Sequence, residues 1–202
     1  MSELKVNKIS PATGTAYTLG DSGDTFTVPS GATITNSGTA TGFGGGKILQ
    51  IQTTRWTGQT TTNTASYTAT PLSGYQVSIT PSATTSNVLI MGVLNYSTNN
   101  ETDHMYGKMY RDSTQINMGV TMGSRDIGMW NMKLGTNLGN SNPEPILYYD
   151  TEISTTSAVT YSIQIKMANT SIHAYFNYDG TSDAASKMTY ASTLMAIEMA
   201  PN

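Results

Sequence analysis

The chain contains no cysteine, so it has no disulfide framework, thiolate metal site or thiol nucleophile, and packing or assembly must hold the fold. Charge is scarce too. Only 11% of residues are charged, against about a quarter in ordinary soluble domains, and Thr, Ser, Asn and Gly carry most of the polarity. A net charge of -3 without clustered Lys or Arg excludes nucleic acid as an expected partner. No stretch approaches the roughly 20 apolar residues of a membrane span, so no membrane insertion is expected. Met1 to Val6 lacks the apolar run of a secretion signal, and synthesis in a cytoplasm is the expectation. No Gly-x-Ser-x-Gly elbow occurs, which removes the commonest signature of a serine hydrolase.

What is present divides at a glycine-rich joint. From Thr18 to Gly46 a short unit recurs, in which an apolar anchor (Leu19, Val28, Ile34, Ala40) precedes a small polar turn and a Thr. One such unit cannot bury its anchor alone, so the pattern calls for stacking on copies of itself or on other chains. A three-chain β-shaft meets that need; a disordered Gly/Ser/Thr linker is the alternative that composition also permits. Gly42 to Gly46 closes the region, and Thr41 and Ile48 break the spacing of a phosphate-binding loop. The expected organisation is therefore a docking and shaft segment over 1–46 and a head over 47–202.

Beyond Lys47 the texture is that of strands. The clearest is Val159 to Met167, where Val159, Tyr161, Ile163, Ile165 and Met167 alternate with Thr160, Ser162, Gln164 and Lys166. Further strands are expected at Ile48 to Thr54, Tyr75 to Ile79, His104 to Arg111, Gln115 to Met122, Ile127 to Leu134, Ile146 to Ile153, Ile172 to Tyr178 and Met188 to Met199. The run Val88-Leu89-Ile90-Met91 reads as a central strand buried on both faces. About ten short strands without an amphipathic helix predict an all-β fold, a Greek-key or jelly-roll β-sandwich head behind a short β-repeat shaft. The apolar last strand suits a threefold axis, and a trimer is expected.

Six stretches carry a resemblance through their order along the chain: Leu4 to Ile9, Val28 to Ile34 running into Gly42–Gly46, Ile79 to Ile90, Tyr110 to Ile116, Tyr148 to Asp150, and Leu194 to Glu198. Together they resemble tail-fibre and appendage proteins of tailed bacteriophages infecting marine bacteria, such as cyanophages. The resemblance implies a homotrimer in the virion, released by lysis, with its N-terminus on other virion proteins and its head outward toward host polysaccharide or protein. On that reading Leu4, Val6 and Ile9 dock on the particle, and attachment is multivalent. A capsid decoration or head-fibre protein without receptor function is the alternative. No catalytic residue is implied.

Residue chemistry adds candidates. The segments Tyr96 to Glu101 and Asn137 to Pro143 read as loops bearing groups that hydrogen-bond sugar hydroxyls, and Tyr96, Asn99, Asn100, Asn140 and Asn142 are the expected receptor contacts, with Tyr148 adding stacking surface. Asp150 and Glu152, two apart on a strand, would lie about 7 Å apart on one face, a separation that overlaps an inverting glycosidase pair. Two solvated carboxylates at a strand end is the simpler expectation, and no enzyme is predicted. His104 and His173 lack metal-ligand or triad spacing, and ordinary turn chemistry accounts for Asn177, Asp179 and Asp183. No cofactor or metal is expected. Twelve Met residues fill a core or adapt strands to a neighbour.

Overall fold

The computed structural model describes residues 9–33, 35, 48–99, 104–116, 119–120, 122–133, 142–180 and 188–201. By contacts the chain divides into two units, Met1–Phe43 and Gly44–Asn202. Among its described residues the first unit has turns and no strand. Gly20, Gly23 and Gly31 take positive φ, and Asp21 N–H donates to the Asp24 carboxylate at 2.8 Å. Leu19 and Val28, two of the repeat's anchors, stand exposed, as do Tyr17 and Phe26. Ile34 and Ala40 lie outside the described residues.

The second unit is all-β, with eleven strands in two antiparallel sheets among the described residues. In chain order they are β1 (Ile48–Trp56), β2 (Thr60–Thr62), β3 (Gln76–Ile79), β4 (Asn87–Thr98), β5 (His104–Arg111), β6 (Thr114–Ile116), β7 (Trp130–Lys133), β8 (Asn142–Asp150), β9 (Val159–Met167), β10 (Ala174–Phe176) and β11 (Ser192–Met199). The first sheet runs β1-β11-β4-β10-β2, with β8 on the other edge of β4; the second runs β3-β9-β5-β6, with β7 also on β5. The short Thr60–Thr62 strand was not apparent from pattern, and the strand expected over Gln115 to Met122 shrinks to Thr114–Ile116 in the described residues.

Period-2 alternation decides what each strand buries. On β9 the five residues expected inside are buried, and on β5 Met105 and Met109 join them while Tyr106, Lys108 and Tyr110 face outward. The first sheet contributes Val88, Ile90, Leu94, Ile146, Leu194 and Ala196 to the same core. The β5–β6 hairpin turns on Asp112 and Ser113, and Asp112 accepts the positive φ that a two-residue hairpin turn requires. Its carboxylate then takes the Thr160 N–H at 2.8 Å, pinning the hairpin to β9.

Gly92 marks the tightest approach in the first sheet, because a Cβ there would meet the Thr193 carbonyl oxygen of β11 at 2.2 Å. The obstacle is backbone and cannot swing aside. Gly92→Ala is expected to lower stability by about 1–3 kcal/mol through overpacking, read as a fall in the urea midpoint; an unchanged midpoint would mean β11 can shift freely along β4.

Candidate functional site

The two sheets present very different outer faces. On the second sheet, antiparallel register places Tyr106 of β5 beside Lys166 of β9 on one side and Asn131 of β7 on the other. The segment before β3 extends this row: Thr68 pairs with Ile165 across β9, which brings Tyr67 alongside Lys166. Asp126, from the stretch preceding β7, lies over the row. Its carboxylate takes Lys108 at 2.8 Å and Lys166 at 2.7 Å, and the two ammonium groups sit 4.1 and 4.7 Å from the centre of the Tyr67 ring. The result is a cleft of about 590 Å³ whose walls include Tyr67, Tyr106, Trp130, Asn131, Arg125 and Asp126.

The electrostatics follow from this packing. Hydrogen bonds from Lys108 and Lys166 hold the Asp126 carboxyl well below the usual range, so it is ionised in any ordinary buffer. Burial, reinforced by a bond to Asp126, pushes the Tyr67 hydroxyl well above the usual phenol range, so Tyr67 stays a neutral hydroxyl. Arg125 has no carboxylate partner among the described residues, and its Nη1 contacts only the Met122 sulfur, at 3.2 Å. Beneath the sheet, at the core parity of Met105 and Met109, Gly107 makes room for the Trp130 ring, which packs against the core.

The outer face of the first sheet is apolar. Register aligns Ile51, Ile197, Leu89 and Tyr149 in one row across β1, β11, β4 and β8. The next row is Thr53, Met195, Met91 and Leu147, and the third holds Arg55, Thr193, Val93 and Pro145. Leu147 is 68% exposed and Ile51 51%. The run Val88 to Met91, expected to be buried on both faces, is thus buried on one only, with Met91 39% exposed. Four strands at about 4.8 Å and three rows at about 6.8 Å make a patch of roughly 400 Å² in plan.

The expected receptor contacts scatter. Tyr96 belongs to β4, is 5% exposed and points into the core, where burial pushes its hydroxyl up to about 12. It offers no stacking face, which corrects the expectation of a loop beginning there: β4 continues to Thr98, and Tyr96 shares the inward parity of Val88, Ile90 and Leu94. Asn99 is exposed just beyond β4 and clasps His173, taking its N–H on Oδ1 at 2.8 Å. Asn142 opens β8 opposite Tyr96, near the same sheet end. Tyr148 is part-buried against the core. Asn100, Asn140, Leu4 and Val6 lie outside the described residues, and Ile9 is half exposed.

The carboxylate pair is also corrected. Asp150 is fully buried and holds Arg111 Nη1 at 2.8 and 2.7 Å, the Tyr161 hydroxyl at 2.8 Å and the Glu152 N–H at 3.1 Å. Strand β8 ends at Asp150, so Glu152 does not continue its face, and an inverting pair open to water is not formed. Asn177 is a buried clip, donating to the Trp56 and Gly58 carbonyls and accepting from Ser192 at 2.7 Å; its turn partner Asp183 lies outside the described residues. Among the described residues no three His, Asp or Glu side chains gather as metal ligands, and no helix is long and apolar enough to cross a membrane.

Sequence reasoning missed the cleft. The polar parity of β5 and β9 signalled Tyr106, Lys108 and Lys166, but Tyr67, Arg125 and Asp126 come from irregular segments that no periodicity places. No protein-family model matches this chain, and no curated protein matches it either.

Proposed function

We propose that this chain is a structural, non-enzymatic subunit of a bacteriophage tail fibre or tail appendage, acting as a homotrimer that attaches the virion to the host surface. In this reading residues 1–46 dock and intertwine, and the two sheets form a β-sandwich head. Passage of the chain between sheets at β2 to β3, β3 to β4, β4 to β5, β7 to β8, β8 to β9 and β9 to β10 supports a Greek-key or jelly-roll arrangement.

The observation that carries the proposal is the apolar outer face of the first sheet. Its size lies within the roughly 300–600 Å² of the largest apolar patch on a typical soluble chain, a patch that often serves binding. Further copies of the same chain are its natural cover. The centre of the face bears no charge and Arg55 stands at a corner, so identical faces meet around an axis without like charges being opposed. Met91, Met195 and Met199 give the face side chains that adapt to imperfect fit. Three heads on one axis then multiply weak individual contacts into avidity, and no single site needs to be strong.

Light scattering on the full chain is expected to give three times the 21.6 kDa of one chain. Met91→Lys with Leu147→Lys sets charges against one another at the shared face, and is expected to give a monomer with an unchanged β-sheet circular dichroism spectrum, since both side chains are already exposed. A wild-type monomer would overturn the proposal. Antibody labelling of particles carrying the chain then separates a tail position from a capsid one.

A further inference from the structure

We propose that the cleft on the outer face of the second sheet is a saccharide site selective for sugars bearing a carboxylate. The inference rests on the attachment reading and gives it a ligand class.

The starting point is a charge imbalance. Lys108, Lys166 and Arg125 converge here with Asp126 as the one carboxylate of the cluster among the described residues, an excess of positive charge in a chain whose net charge is -3. The two lysines are committed, since each is bound to Asp126 and seated over Tyr67. Among the described residues Arg125 is not. Its guanidinium on the cleft wall, which among those residues meets only the Met122 thioether, presents a planar fork of donors that matches a carboxylate in bidentate fashion. One uncommitted cation balances a monoanion; a phosphate dianion calls for more than one.

The remaining walls select for a sugar among organic monoanions. A pyranose has an apolar C–H surface and a rim of hydroxyls. Tyr106 supplies carbon surface, its ring held in place by the His104 ring stacked at 6.2 Å. The Asn131 side chain, with its Oδ1 2.9 Å from His104 Nδ1, and the ionised Asp126 carboxylate supply a mixed set of donor and acceptor for hydroxyls. At about 590 Å³ the cleft falls within the roughly 300–1,000 Å³ of small-molecule sites. It lies on the sheet face opposite in character to the apolar one, so covering the first sheet with other copies does not use the second sheet's outer rows.

The test is calorimetric titration of the full-length protein with trigalacturonate, with maltotriose as the neutral probe and sodium sulfate as the bare anion. Trigalacturonate is expected to bind at least about tenfold tighter than maltotriose, to weaken about tenfold in Arg125→Ala, and to weaken again as salt rises from about 50 to 500 mM. Arg125 is exposed, so its replacement leaves the fold intact. Equal affinity for maltotriose, or no effect of Arg125→Ala, would overturn the proposal. So would sulfate displacing trigalacturonate at equal concentration, which would leave an anion contact and no sugar site. Failure here with a trimeric mass leaves the assembly reading standing, whereas a monomer that still binds trigalacturonate removes the assembly and keeps the site.

Discussion

Asp150→Ala is expected to lower the unfolding free energy by about 3–5 kcal/mol, seen as a large fall in the urea midpoint at fixed protein concentration. Asp150 sits at the end of β8 in the first sheet, and both side-chain partners, Arg111 of β5 and Tyr161 of β9, belong to the second. The ion pair is therefore a tie between the sheets. Asp150 is fully buried and the Arg111 side chain only 18% exposed, so removing the carboxylate strands a cation and a phenol in a poorly solvated place. A buried pair is strongly missed when one partner goes, yet replacing the whole pair with apolar residues is often neutral. Asp150→Leu combined with Arg111→Met should thus recover most of what Asp150→Ala loses. A single mutant within about 1 kcal/mol of wild type, the range of exposed pairs, would show that the tie is solvated and contributes little.

This tie bears on how much of the fold was legible. Strand existence was readable wherever alternation was strict: β5 was expected over His104 to Arg111 and β9 over Val159 to Met167, the spans they occupy. The buried charges were also written in the parity. Asp150 follows Ile146 and Tyr148 at two-residue steps, and Arg111 follows Met105, Gly107 and Met109, so each charge stands at a core position of its own strand. A carboxylate at core parity demands donors from the facing sheet, and a guanidinium at core parity is the candidate. The pairing was missed because Asp150 was weighed together with Glu152, as if the strand ran on.

Other features were not legible. Tyr67 and Asp126 reach the cleft through segments of irregular backbone, and their meeting depends on a single bridge from Thr68 to Ile165 and on the lysines that draw Asp126 down. Nothing in local sequence sets either. The apolar runs at Val88 to Met91, Ile146 to Tyr149 and Leu194 to Ile197 raised a different difficulty. A run apolar at both parities says that both faces avoid water, without saying whose atoms cover the second face. One chain covers only one, and in the proposed trimer the other is covered by copies. The same asymmetry lets the two outer faces serve the two proposed roles: in the proposed trimer the apolar rows exclude water between identical partners, while the charged and aromatic rows of the second sheet keep hydrogen-bonding groups in reach of solvent.

Glu198 is expected to be nearly as costly to remove as Asp150, and to leave a signature in pH. It is fully buried near the end of β11, at the core parity of Leu194 and Ala196. Its Oε1 accepts the Ser82 N–H at 2.6 Å, the Ser82 hydroxyl at 2.7 Å and the Ser86 hydroxyl at 2.6 Å, and Oε2 accepts the Gln50 amide at 2.6 Å. Burial alone would raise its pKa, but the donors from Ser86, Gln50 and Ser82 outweigh it and hold the carboxyl below the ordinary glutamate value. The folded pKa being depressed, the stabilisation is complete above the unfolded value of about 4.3 and is lost as pH falls through the folded one. Glu198→Ala leaves the buried Ser86 hydroxyl without an acceptor, at about 1–3 kcal/mol, and strips the part-buried Ser82 and Gln50 donors of theirs, so a total of about 2–4 kcal/mol near neutral pH is expected. Glu198→Gln keeps one acceptor oxygen and should cost less, but it cannot titrate. Urea midpoints measured from neutral pH down to about 3 should therefore fall less steeply in Glu198→Gln than in wild type below the glutamate range. Parallel acid limbs would assign the pH dependence to other carboxylates and leave Glu198 as a neutral hydrogen-bonding group.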